Sequence, residues 1–120
     1  IGVSEVLKSA NPLTLCVAVE PDTSPILSEG RAGDHGIFGI GADFVPPLLD
    51  RGLIDEIVTV STQQAIDMSS RLAREEGLLV GFSSGANVHI ALRLAERLGQ
   101  NKTVVTILPD TGERYFHLTA

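Results

Sequence analysis

Apolar positions along this chain switch between a helical rhythm and short continuous runs. In residues 1–10 (IGVSEVLKSA), Val3, Val6 and Leu7 share one face of a helix. Asn11-Pro12 stops it. No start signal precedes Ile1, so the expectation is a chain that begins in the middle of a larger protein. Leu13 to Val19 (LTLCVAV) is almost unbroken apolar sequence, closed by Glu20-Pro21, as in a strand buried on both faces. Residues 21–44 are rich in Gly, Pro, Ser and Asp and read as a long loop, with a short helix starting at Ser24-Pro25. A loop of that length in a compact domain is often functional. Residues 46–52 read as another short helix.

Glu56 to Val60 (EIVTV) has the composition of a strand. Ser61 followed by Gln64 is a capping-box pattern. The helix it opens carries Ala65, Met68, Ser69 and Leu72 on one side and ends at Gly77. A short apolar stretch, Leu78 to Val80, leads to GFSSGAN (81–87). A further helix then places Val88, Ala91, Leu92, Ala95 and Leu98 on one face and stops at Gly99. Thr103 to Leu108 (TVVTIL) is the last expected strand.

The alternation implies an α/β fold: three layers, with a mainly parallel sheet and helices on both its faces. Ligands of such sheets gather beyond the carboxyl ends of the strands. Three segments fall there: the glycine loop 36–44, GFSSGAN, and PDTGERY (109–115).

Composition narrows the picture. Hydrophobic residues are 43% of the 120, but aromatics only 4%, so the core must be aliphatic. A net charge of −6, without a basic run, argues against nucleic acid as a partner. No apolar stretch is long enough to span a membrane, and no signal peptide is evident. Cys16 is the only cysteine, so no internal disulfide can form; a cytoplasmic setting is expected. His35, His89 and His117 match no metal spacing, and no metal site is expected.

Each motif has two readings on its own residues. GFSSGAN is either a ligand-accepting helix start or a tight turn with Ser83 or Ser84 as N-cap. It is neither a G-x-G-x-x-G fingerprint nor a G-x-S-x-G elbow. HGIFGIGADF (35–44) is either a seat for a flat ligand or a flexible loop. Asp110 either caps a helix or binds a ligand.

Taken together and in order, VEPDTSPILSEG (19–30), GIGADFVPPLLDRGLIDEI (39–57), REEGLLVGFSSGAN (74–87) and ILPDTGERY (107–115) resemble the cysteine synthase (O-acetylserine sulfhydrylase) family of fold-type II pyridoxal-phosphate (PLP) enzymes. The resemblance runs from end to end. It implies that residues 1–120 are the C-terminal portion of the large, PLP-binding domain, with the N-terminal domain and its Schiff-base lysine lying outside. Ser83 would hydrogen-bond the pyridine nitrogen. Gly39, Ile40 and Gly41 would line the cofactor, and Pro109 and Asp110 would lie beside its ring. The implied reaction is β-replacement, in which sulfide displaces acetate from O-acetylserine to give L-cysteine.

Neither Lys8 nor Lys102 matches the family lysine; both are expected on solvated surface, and no catalytic residue is assigned within the chain. The isolated piece is expected to be inactive and to bind PLP poorly. Homodimerisation and binding of serine acetyltransferase are further implications. Phe38 stands where the family usually has Gln, Asp43 where it has Gly, and Thr111 where it has Ser. GIGADF followed by PPLLDR also resembles cystathionine β-synthase, so serine, O-phosphoserine or cystathionine chemistry stays open. So do a non-catalytic α/β domain that holds an anion at the helix start and a purely structural or interaction role.

Overall fold

The structure, a computed structural model, describes residues 1–118, with side chains through Tyr115. His117 thus falls beyond the described side chains. Helix α1 (Gly2–Ala10) ends at Asn11, whose amide closes on the Leu7 carbonyl at 2.8 Å. Strand β1 (Val17–Pro21) pairs in parallel with β2 (Glu56–Val60), in a register running from Val17 opposite Glu56 to Pro21 opposite Val60. Before β2 starts, Asp55 ties the amino ends of the two strands. Its carboxylate accepts from the Cys16 amide at 2.7 Å and from the Lys8 ammonium at 2.6 Å. The Cys16 amide first, and Lys8 second, hold the Asp55 carboxyl below its ordinary value.

A single helical turn, α2 (Ile26–Glu29), follows β1, and a 3-10 turn (Arg51–Leu53) precedes β2. The expected helix at 46–52 shrinks to that turn, which the Asp50 side chain starts by accepting from the Gly52 amide. Helix α3 (Thr62–Glu76) opens on the capping box anticipated from Ser61 and Gln64, with both bonds made, at 3.1 and 2.9 Å. Gly77 ends it in the left-handed conformation, φ 69°.

Helix α4 (Phe82–Leu98) meets both strands and lies along α3. The crossing is close because Gly85 has no side chain: a Cβ there would sit 2.1 Å from the Ala65 carbonyl oxygen. The Ser69 hydroxyl lies 3.0 Å from both the Ala65 and Gly81 carbonyls, so its one proton bonds the helix start of α4 or its own helix. The core they enclose is aliphatic at its centre, with Ile37, Val60, Ala65, Ala86 and Ile90, and one aromatic, Phe82, joins Val19, Ile40, Val58 and Leu94 packed around them.

Two expected strands do not form ladders. Of Leu78–Val80, only Val80 makes an isolated antiparallel bridge, to Thr111. Thr103–Leu108 joins no strand among the described residues. Val104–Thr106 line a hollow of about 450 Å³ together with Val17, Val19, Ile90 and Leu94. The β1 strand is also shorter at its start than expected, and Leu13 and Leu15 are exposed.

The result is a mixed α/β fold with a parallel sheet. It leaves much apolar surface open, with Leu13, Leu48 and Val105 more than four-fifths exposed. The chain exposes 7675 Å². A self-contained folded protein of 12.7 kDa exposes roughly 6,200 Å².

Candidate functional site

The three segments singled out in the sequence meet at the carboxyl end of the strands. The first is the loop that leaves β1. The Gly36 amide donates to Thr62 Oγ1 at 3.0 Å, which fixes the loop to the start of α3. Ile37 then drops into the core, fully buried, and Ile40 packs on the same cluster. Between them Gly39, at φ 93°, turns its open side to Ser83: a Cβ there would find the Ser83 Oγ at 3.9 Å and nothing nearer. Gly41, at φ 67°, lies over Pro21 and His35, either of which a side chain would strike.

Ser83 sits in the first turn of α4 and is 4% exposed. The N-cap is Gly81, so neither Ser83 nor Ser84 caps the helix, contrary to the simpler sequence reading. The reason lies in the start point. The Gly85 amide already bonds the Gly81 carbonyl at 3.2 Å, which leaves both serines inside the turn. Their hydroxyls are therefore free of capping work. Ser84 Oγ is buried without a partner.

The third segment is joined to the second through Gly81, whose amide donates to the Asp110 carbonyl at 3.3 Å. A Cβ on Gly81 would lie 2.2 Å from Asp110 Oδ1 and 2.6 Å from the Tyr115 ring. Asp110 Oδ2 accepts from the Tyr115 hydroxyl, while its Oδ1 is buried without a partner. That hydrogen bond is the main reason the Tyr115 phenol titrates above its ordinary value, with burial adding to it. Pro109 is exposed and reaches the group only through its neighbour Asp110.

A stack of rings, unremarked in the sequence, closes this cluster. The Tyr115 ring lies 5.1 Å from Phe82 and 5.8 Å from Phe38, each at 24°. The chain has four Phe and one Tyr, so most of its scarce aromatics gather here. The signal available beforehand was that scarcity itself, with Phe38 and Phe82 each beside a candidate residue.

Neither lysine comes near. Lys8 is not on solvated surface as expected: its side chain is 17% exposed and its ammonium is held by Asp55 and the Thr14 carbonyl, at the opposite end of the strands. Lys102 is exposed and borders the hollow beside β1. Among the described residues, no cluster of His, Cys, Asp or Glu has the makings of a metal site, and no helix is long and apolar enough to cross a membrane.

The family model for pyridoxal-phosphate dependent enzymes matches residues 1–110. A cysteine synthase of Staphylococcus aureus is 48% identical over 114 residues, which is 95% of this chain and 37% of that protein. The crystal structure of a cysteine synthase from Entamoeba histolytica superposes with a TM-score of 0.93 at 40% identity, over 96% of this chain and 34% of the other. An O-acetylserine dependent cystathionine β-synthase from Helicobacter pylori gives 0.88 at 41% identity, over 97% of this chain and 38% of the other.

The chain therefore belongs to the pyridoxal-phosphate dependent enzyme family, and cysteine synthases are among its relatives. It spans a little over one third of the length of the relatives it matches. Membership implies pyridoxal phosphate as the cofactor of the intact enzyme. The residues present fit the ring of that group. Gly39 leaves open space in front of a buried serine hydroxyl, and flat side chains stand alongside.

Proposed function

We propose that this chain forms the ring-binding side of the PLP site in a cysteine synthase, as the C-terminal portion of its large domain. The observation that carries the reading is the meeting of Gly39 and Ser83, with Asp110 joined to the same helix start through Gly81. PLP, when bound, supplies an electron sink for chemistry at the carbons of an amino-acid substrate. The Ser83 hydroxyl would donate to the ring nitrogen, which would stay unprotonated opposite a neutral donor; an aspartate would hold the proton there instead. Gly39 and Gly41 keep the ring's flank free of side chains, and Ile40 anchors that flank to the core. Asp110, with Pro109 next to it in the chain, would lie beside the ring.

The proposed overall reaction is replacement of the acetate of O-acetylserine by sulfide. Covalent attachment of the cofactor and proton transfer at the substrate carbon fall to a lysine outside this chain, since Lys8 and Lys102 are both remote from Ser83. The chain alone is then inactive and holds PLP weakly. A related nucleophile is the second reading. It is supported by the similarity to the H. pylori enzyme and by Phe38 and Asp43 in place of the Gln and Gly usual in cysteine synthases.

The test is complementation. The chain is mixed with, or grafted onto, the part of the S. aureus cysteine synthase that it does not cover. The expected result is a visible absorption band with PLP and formation of cysteine from O-acetylserine and sulfide. No such band should survive dialysis with the chain alone. A folded hybrid that takes up no PLP, or a lone chain that keeps the band, would overturn the proposal.

A further inference from the structure

We infer that His35 is a positioning residue for this site: in one neutral tautomer it pins the glycine turn against Ser83. The inference rests on the reading of that turn as a cofactor-facing wall, but its test does not need the cofactor.

The imidazole bridges its own loop. The Ile37 amide lies 3.2 Å from Nδ1, and the Gly41 carbonyl oxygen lies 3.0 Å from Nε2. An amide can only donate, so Nδ1 must present its lone pair. A carbonyl can only accept, so Nε2 must carry the proton. One tautomer out of the two neutral forms satisfies both ends, and the doubly protonated ring would set a hydrogen against the Ile37 amide.

The ring therefore sets the spacing between residues 37 and 41. Ile37 is fixed in the core at one end. At the other, Gly41 is trapped between the His35 ring, 2.5 Å from where a Cβ would sit, and Pro21 at 2.7 Å. Between these two fixed points Gly39 runs with its open side toward Ser83 Oγ. His35 itself does not touch Ser83 in this arrangement. It acts through the turn.

Nuclear magnetic resonance on the cofactor-free hybrid of this chain with the rest of the S. aureus cysteine synthase, isotope-labelled in this chain, tests this directly. Long-range ¹⁵N correlation of the wild-type ring should show the proton on Nε2 and a bare Nδ1. Cross-peaks should connect Gly39 Hα with the Ser83 side chain. In His35→Ala those cross-peaks should vanish and the Ile37 amide should exchange about tenfold faster, the scale of one lost neutral hydrogen bond. Amides in the middle of α3 and α4 should be unchanged. His35→Gln, which carries both an acceptor and a donor, should restore the cross-peaks.

A proton on Nδ1 in the wild type would overturn the inference. So would Gly39–Ser83 cross-peaks that persist in His35→Ala. If the alanine variant does not fold, the wild-type tautomer decides by itself. None of these readings involves PLP, so the inference can fail while the cofactor site stands, and the reverse.

Discussion

Tyr115, to which the sequence assigned no role, holds the site's geometry together. Its hydroxyl donates to Asp110, and its ring is the middle member of the aromatic stack. Tyr115→Phe keeps the stack but leaves both Asp110 oxygens without a protein partner. It should lower stability by about 1–2 kcal/mol in urea titration. The phenol gives a second check. Its pKa is raised, so the folded state favours the neutral form. Its contribution to stability is then fully present below the ordinary tyrosine value and is lost as pH rises through the raised one. Ultraviolet titration should show the Tyr115 phenolate appearing later than that of a free tyrosine. Ser83, Gly39 and Asp110 were legible as candidates because ordered motifs mark them. The Tyr115–Asp110 bond was not, since no spacing rule connects a residue pair across a 3-10 turn.

Elements whose limits are set by local chemistry were the most legible. Ser61, Gln64 and Gly77 carry the whole start and stop of α3 within the chain's own neighbouring residues. The start of α4 misled because small residues favour both a cap and a close packing contact. Gly85 shows which of these matters here, since it admits the Ala65 carbonyl. Gly85→Ala should force α3 and α4 apart and cost about 1–3 kcal/mol, as overpacking does. Thermal unfolding followed by circular dichroism is the check. An unchanged midpoint would mean that the helices do not cross as closely as described. The burial of Ile37 was not legible, because a loop rich in Gly and Pro gives no periodic signal for an inward side chain.

At the scale of the molecule, the α/β class was legible and the extent of the sheet was not. Thr103–Leu108 has the composition of a strand, but a strand needs a paired edge, and across the hollow it shares with β1 no ladder forms among the described residues. The same opening contributes to a surface larger than a 12.7 kDa protein should have. Exposed apolar area on this scale drives association. Sedimentation of the isolated chain should therefore show species heavier than a monomer, and a clean monomer at high concentration would contradict this. The central claim, however, is the placement of the Ser83 hydroxyl opposite a pyridine nitrogen, and one measurement reaches it directly. PLP labelled with ¹⁵N in its ring is bound to the hybrid of this chain with the S. aureus body, with Ser83 or with Ser83→Asp. The account predicts an unprotonated ring nitrogen with serine and a large shift to the protonated value with aspartate. The same ¹⁵N shift in both proteins would contradict it.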